Sequence, residues 1–467
     1  LIAAVMSAPA IDLRWEHRVV WTTQDGSGAV VGVETPGGLQ RLRGSYILAC
    51  DGARSSMRKL LGLGFPGTTY PDRFLIADVR AELAAPKEPR FFFDHPTNPG
   101  STILIHPQPD NVWRIDWQLG SDVDIAAECI PAAVRGRIVA LIGDVPYELV
   151  WLSSYRFHQR QLDRLRHGRV FFLGDAAHLM APFGARGSNS AIHDVENLGW
   201  KLAMVLQDEA PESLLDTYQV ERRPAQRRDQ LVTDATMRFM APRTRSQRLR
   251  RSAVLALSAR CRPVRRWVNS GRMSEPFTYR SSPILAADRE PAREWRDALR
   301  PGGKAPDAAC LIAEGSSAPR SVRLQQLLGH RFVALYFPQD DDAGKSFTRE
   351  MASAWHRIPV TVWTVRCASP RSSAATPVLW DSTGELRRVF GAKPGTVFLI
   401  RPDGHVAARR RQVRAAEVAE LVRLASANPR EQLTGTPLSG LRRIGPPVQL
   451  RAHTGQQRTH VTGHVHE

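Results

Sequence analysis

Apolar and polar residues alternate along the first fifty positions. Ile11–Trp15, Val19–Thr22, Ala29–Glu34 and Tyr46–Cys50 carry the period of two expected of strands, and Asp25-Gly26-Ser27-Gly28 and Thr35-Pro36-Gly37-Gly38 have hairpin chemistry. The pattern predicts a β-meander feeding one final strand, preceded at Leu1 to Met6 by the end of a helix. A second strand-rich block follows at Arg90–Asp94, Ser101–His106 and Val112–Leu119. In its last run Trp113, Ile115, Trp117 and Leu119 share one face, while Arg114, Asp116 and Gln118 share the other. Such a sheet is half-buried, packed on a core or walling a cavity.

From Arg169 the pattern changes to a short apolar strand (Val170–Leu173), a glycine-rich loop and a helix from about Ser188 to Leu206. Ile192, Val195, Leu198, Leu202 and Val205 recur at helical spacing and predict one buried apolar stripe. Arg-rich helical segments run on to about residue 300. A fresh α/β unit begins near Lys304, with strands at Phe332–Phe337, Val360–Val365, Thr396–Ile400 and His405–Ala408, the last two joined by the turn Arg401-Pro402-Asp403-Gly404. After about Ser439 periodicity is lost and a disordered tail is expected. These shifts divide the chain at about residues 65, 160, 240, 303 and 430.

With 467 residues, several domains are expected. No apolar run reaches the roughly 18 residues of a membrane span, and the N-terminus lacks a signal-peptide layout, so a cytoplasmic protein without membrane attachment is expected. The formal charge of +18 invites a nucleic-acid reading. Only six of the 64 basic residues are Lys, however, and no groove-reading motif accompanies them, so nucleic acid is not an expected partner. Five scattered cysteines form no C-x-x-C pair and have no His at ligand spacing, which supports neither a disulfide framework nor a metal site.

The chemistry concentrates at Gly174-Asp175-Ala176-Ala177-His178 and Pro182-Phe183-Gly184-Ala185-Arg186-Gly187-Ser188-Asn189. A buried strand delivers Asp175 to its exposed end, where a carboxylate can accept from sugar-like hydroxyls. The loop then ends on a helix N-terminus, suited to an electron-rich ligand edge. Upstream, Asp51-Gly52-Ala53-Arg54-Ser55 and Arg58 follow a strand and open a helix, and the two arginines can meet phosphates. Gly62-Leu63-Gly64-Phe65-Pro66-Gly67 also matches G-x-G-x-x-G. It follows a helix rather than a strand and is a connecting loop.

The sequence Gly-Asp-Ala-Ala-His, Pro-x-Gly-x-x-Gly-x-Asn, then Asp194, Asn197, Trp200 and Lys201, resembles the second FAD motif of single-component aromatic-ring hydroxylases of the phenol hydroxylase and 3-(3-hydroxyphenyl)propionate hydroxylase type. Ala181 and Ala191 depart from that pattern, standing where Pro and Gly are common. The resemblance implies an α/β fold: an FAD-binding glutathione-reductase-like domain with an interleaved sheet domain for substrate and a C-terminal thioredoxin-like domain. It places Asp175 on the ribityl chain, Pro182 beside the flavin ring and Gly187, Ser188 and Asn189 at the pyrimidine edge. Gly174, Asp51, Gly52 and Arg54 line the rest of the FAD site. It further implies that NAD(P)H reduces the flavin and that O₂ adds to it as a hydroperoxide, whose terminal oxygen passes to a small aromatic substrate beside Pro182 and Phe183. His106, Arg114 and Gln118 are further cavity candidates.

The family's first βαβ unit, with its Gly-rich turn for the ADP half of FAD, has no counterpart in these residues. The resemblance therefore predicts an incomplete FAD-binding domain and weak FAD retention by residues 1–467 alone. The thioredoxin-like unit lacks a cysteine pair, so it is expected to serve packing or homodimer formation rather than redox chemistry. Two other readings stay open: a polyketide-type aromatic oxygenase on the same scaffold, and an inactive remnant acting as an interaction protein.

Overall fold

The computed structural model describes residues 1–428 apart from 85, 243, 270–273, 313–318, 355–359 and 368–377; the expected tail lies outside them. After α1 (Ile2–Met6), the strands β1 (Arg18–Gln24), β2 (Ala29–Thr35) and β3 (Gly38–Gly44) form an antiparallel meander. Strand β3 gave no burial signal in the sequence because nearly all its side chains are exposed, and its ladder to β2 defines it. Residues 11–15 do not form the expected strand. Ile11, Leu13 and Trp15 are 51%, 40% and 63% exposed, and no described strand pairs with them; alternation without a ladder partner makes no strand.

The chain continues through β4 (Ile47–Ala49) and α2 (Ser56–Leu60), then builds a second sheet from β5 (Gly67–Ala81), β6 (Arg90–Phe93), β7 (Thr102–Pro107), β8 (Val112–Leu119) and β9 (Tyr147–Gln161). Helices α3 (Ile125–Glu128) and α4 (Pro131–Ile142) stand between β8 and β9. After β10 (Arg166–His167), strand β11 (Val170–Phe172) runs parallel to β4, and β12 (His178–Leu179) returns to pair with β9. The second sheet thus has the order β12-β9-β5-β8-β7-β6. The long strands β5 and β9 were hidden in the sequence. Pro71-Asp72 reads as a turn but sits in a bulge between Thr69 and Arg73, and β9 is mostly exposed over its first ten residues. As expected, Trp113, Ile115, Trp117 and Leu119 pack on Val134 and Ile138 of α4.

Helices α5 (Arg186–Leu206), α6 (Asp216–Met240), α7 (Arg245–Arg260) and α8 (Arg262–Asn269) follow. The predicted apolar stripe of α5 is wrong in part: Leu198 is buried, but Ile192 and Val195 are 54% and 56% exposed. The buried stripe is instead polar, namely Ser190, Asp194, Asn197 and Lys201 at i, i+4, i+7 and i+11. These side chains meet charged partners from distant parts of the chain.

The C-terminal part contains β13 (Ala309–Ile312), β14 (Arg320–Arg323), β15 (Phe332–Phe337), α9 (Asp341–Ala354), β16 (Val360–Arg366), β17 (Val378–Trp380), α10 (Glu385–Phe390), β18 (Thr396–Ile400), β19 (Val406–Arg411) and α11 (Ala415–Ala425). Its sheet has the order β14-β13-β17-β16-β15-β18-β19, parallel across β17-β16-β15 and antiparallel elsewhere. One face shares a core with α5: Trp200 and Met204 pack among Phe332, Val397 and Val418, with the Trp200 and Phe332 ring centroids 5.6 Å apart. No described helix is long and apolar enough to cross a membrane.

Candidate functional site

Parallel pairing of β4 with β11 brings the two sequence motifs together. Ala49 lies opposite Phe172, Leu173 N donates to Ala49 O at 3.1 Å, and both motif loops leave the carboxyl ends of adjacent strands. Arg58 fastens the loops to each other. It is buried, donates to Ala53 O at 2.6 Å and Ala176 O at 3.1 Å, and lies over the Phe65 ring. Two of the five Arg58 guanidinium N–H groups are thus engaged within the protein. Arg54 remains exposed beside half-exposed Gly52. Asp51 Oδ2 accepts from Met57 N at 2.9 Å and so helps cap α2 with Ser55.

Residues 170–179 are all buried except Asp175. The strand and the short turn after it are fixed by the hydrophobic core, which includes Phe171, Phe172, Leu173, Ala176 and Ala177, and the carboxylate alone is presented outward. Gly174 makes this turn possible. Its φ is +56°, and a Cβ there would stand 3.1 Å from Ala191 Cβ, so Ala191 is accommodated because its neighbour is glycine. Pro182 is exposed and Phe183 buried, its ring packed against Phe74 (6.3 Å between centroids) and Phe157 (5.9 Å) of the second sheet.

The helix expected from Ser188 starts at Arg186. Gly187, Ser188 and Asn189 thus lie in its first turn, after Ala185 in the left-handed region at φ +51°. No side chain caps this terminus, which leaves the first amides of a 21-residue helix directed outward. The Asn189 amide donates to Ala185 O at 2.5 Å, holding the loop rather than projecting from it.

Behind the loop lies a buried polar network that the sequence did not reveal. Asp194 accepts from Gly174 N (3.1 Å), Arg222 Nε (2.7 Å) and Gln226 Nε2 (3.0 Å) and faces His178 Nε2 at 2.8 Å. Burial raises its carboxyl, but Arg222 and His178 outweigh that and hold it down at about 2. One turn further, Asn197 and Lys201 donate to Glu221 (2.6 and 2.7 Å), and Glu221 takes a two-point contact from Arg401 (2.5 and 2.9 Å). Arg401 also pairs with Asp403 in the turn between β18 and β19. Burial pulls Lys201 down to about 8, against the attraction of Glu221. The Arg401 turn is thereby tied through α6 and α5 to the Gly174 amide.

Of the cavity candidates on the second sheet, Arg114 is spent in a bidentate pair with Asp78 (2.8 Å twice). Gln118 is spent on Thr102 N and Asp72 Oδ1. His106 stands edge-on to Phe91, and burial together with Arg114 lowers its pKa. Tyr155, 45% exposed, lies near Asp175, whose charge adds to burial in raising the phenol. Sequence reading passed over Tyr155, Phe157 and Phe74, the aromatic residues beside the loop. A groove of about 500 Å³ runs along α6, lined by Gly67, Gln159, Arg160, Arg223 and Arg227. It contains none of the motif residues, and the loop is the better candidate on chemical grounds.

The loop thus gathers an outward carboxylate, an open helix terminus and an adjoining aromatic wall, groups able to accept from hydroxyls, face an electron-rich edge and pack on a ring. Residues 1–233 match the FAD binding domain family, and residues 315–425 match the HcaD C-terminal domain. A 4-methyl-5-nitrocatechol 5-monooxygenase from Burkholderia sp. is 30% identical over 86% of this chain and 72% of its own length. A 3-(3-hydroxy-phenyl)propionate/3-hydroxycinnamic acid hydroxylase from Mycobacterium sp. (strain JLS) is 28% identical over 90% and 72%. The crystal structure of aklavinone-11 hydroxylase with FAD and aklavinone is 25% identical and superposes with a TM-score of 0.65 over 88% of this chain and 74% of that one. The chain belongs to the FAD-dependent aromatic hydroxylases.

Proposed function

We propose that this protein hydroxylates a phenolic ring using NAD(P)H and O₂, with FAD held on the Gly174–Asn189 loop. The observation that carries the reading is Asp175, the single outward side chain in a buried run, set beside the open α5 terminus. Asp175 accepts from ribityl hydroxyls, and the amides of Gly187, Ser188 and Asn189 meet the electron-rich edge of the ring. Asp51, Gly52 and Arg54 complete the cofactor side, and Arg54 has the exposure to reach a phosphate. Bound FAD supplies the reduced, oxygen-activating centre. The chain's own part is to orient the substrate ring against Pro182 and Phe183 and to keep water out with Phe74, Phe157 and Tyr155.

A polycyclic substrate is the second reading. It is favoured by the exposed aromatic strip that Trp151 and Tyr155 add to the wall, 46% and 45% exposed, which extends beyond one ring. For the C-terminal part we propose a thioredoxin-like fold, on the order β15-α9-β16 with β18-β19-α11. Its role is packing, through the Arg401 turn, since Cys310 is buried and Cys367 exposed and neither is paired. The test is FAD titration of the full chain and of Asp175→Ala, followed by flavin fluorescence. Saturable binding lost in the variant supports the reading, and equal binding by both overturns it.

A further inference from the structure

We propose that Asp116 is a substrate-contacting residue, and that it selects aromatic substrates presenting a hydroxyl or other neutral polar group to β8 while excluding those that present a carboxylate. This rests on the reading of the second sheet as the substrate wall. On the face opposite the α4 core, Asp116 lies between Ile76 of β5 and Leu104 of β7. Two residues back on β5 is Phe74, which packs on Phe183 of the flavin loop. At the rise of a strand, Asp116 lies about 7 Å beyond that contact, roughly the span of a substituted ring.

Asp116 Oδ1 is occluded and has no hydrogen-bond partner, although the residue as a whole is only half-buried. A buried polar atom left unmatched beside apolar neighbours is a place for a ligand to supply the partner. The charged and titratable groups around it do not supply one. On β8 itself, Arg114 is committed to Asp78 of β5 through two bonds of 2.8 Å. On β7, His106 is pushed towards its neutral form by burial and by Arg114. Asp72 is turned to Gln118, and β9 offers Ser153, opposite Ile76, and Tyr155. Burial raises the Asp116 carboxyl to about 7, Arg114 opposing and Asp78 assisting.

The wall therefore offers a group that accepts from or donates to a neutral hydroxyl. Arg114, the one cation beside it among the described residues, is already paired with Asp78, so a substrate carboxylate would meet no compensation and, above neutral pH, a like charge. The nitrocatechol relative is named for a substrate without a carboxylate, whereas the phenylpropionate relative is named for one with it.

A matched pair of probes separates the two possibilities: 3-(3-hydroxyphenyl)propan-1-ol and 3-(3-hydroxyphenyl)propionate. Their dissociation constants are measured by calorimetry on the full chain saturated with FAD, at pH 5.5 and 8.5. At pH 8.5 the alcohol is expected to bind on the order of tenfold more tightly, the effect of one like charge roughly 4 Å away in a partly hydrated site. At pH 5.5 the preference shrinks to within about threefold, and in Asp116→Asn it no longer depends on pH. Equal or tighter binding of the acid at pH 8.5, or an unchanged pH dependence in Asp116→Asn, overturns the inference alone. Binding of neither probe while FAD is bound overturns the substrate-wall reading beneath it. The wild-type pH dependence needs no variant, so a misfolded Asp116→Asn protein does not rescue the proposal.

Discussion

Replacing Asp194 by Asn removes one negative charge from the centre of the buried network and keeps the volume. The carboxylate faces four donors at 2.7 to 3.1 Å, and Arg222, fully enclosed, has it as an ion-pair partner. Asparagine has one acceptor oxygen and an NH₂ group, so about half of these donors would face another donor. Leaving a buried cation uncompensated costs about 3–5 kcal/mol. Taking the low end of the usual 2–4 °C per kcal/mol, because the folded unit is large, the melting temperature should fall by roughly 6–10 °C. The carboxyl is held at about 2 against an ordinary 3.8, so its stabilisation is fully present above pH 4 and is lost as pH falls towards 2. The wild-type and Asp194→Asn melting curves, read by circular dichroism from pH 2 to 7, should converge at the acid end. A melting temperature within 2 °C of wild type at pH 7, or a difference that does not narrow on acidification, would refute the role assigned to Asp194.

Three further outcomes are expected. Arg401→Met leaves buried Asp403 without its guanidinium partner and Glu221 with Lys201 as its remaining cation, and should destabilise by about 3–5 kcal/mol. A double-mutant cycle with Glu221→Gln should show at least 1 kcal/mol of coupling, and additive effects in denaturant titrations would exclude a direct pair. Asp116→Asn should be more stable than wild type at pH 8, by on the order of 2–4 kcal/mol, and indistinguishable from it near pH 4. The folded protein keeps a proton on Asp116 up to about pH 7 that the unfolded chain releases near 3.8, so stability falls across that window and the variant escapes the fall. Replacing Cys310 and Cys367 together by Ser should leave substrate-dependent NAD(P)H oxidation intact, and loss of turnover in a folded variant would reveal a thiol role.

The loop was legible because its geometry is local. A buried strand, an outward acid, glycine at positive φ and a helix start follow one another within twenty residues, each leaving its mark on the sequence. The polar stripe of α5 was not legible. Asp194, Asn197 and Lys201 match the motif without any local sign of burial, and the partners they meet, Glu221, Arg222 and Asp403, are contributed from up to 206 positions away. The apolar stripe failed for the complementary reason: Ile192 and Val195 have helical spacing, yet no described element covers them. On the second sheet the alternation in β8 gave the correct faces. It did not show that Arg114 and Gln118 are consumed by neighbours while Asp116 is left unmatched, because that depends on the register of β5 and β7 against β8.

The most direct measurement of the assigned chemistry is isotope incorporation. The full chain at saturating FAD is given NAD(P)H, ¹⁸O₂ and a panel of carboxylate-free phenols, and products are read by mass spectrometry. Phenol-dependent NAD(P)H oxidation with one ¹⁸O atom in the new hydroxyl group is expected. Hydroxylated product bearing oxygen from water, or NAD(P)H oxidation that no phenol in the panel changes and that yields no hydroxylated product, would contradict an FAD-dependent aromatic hydroxylase.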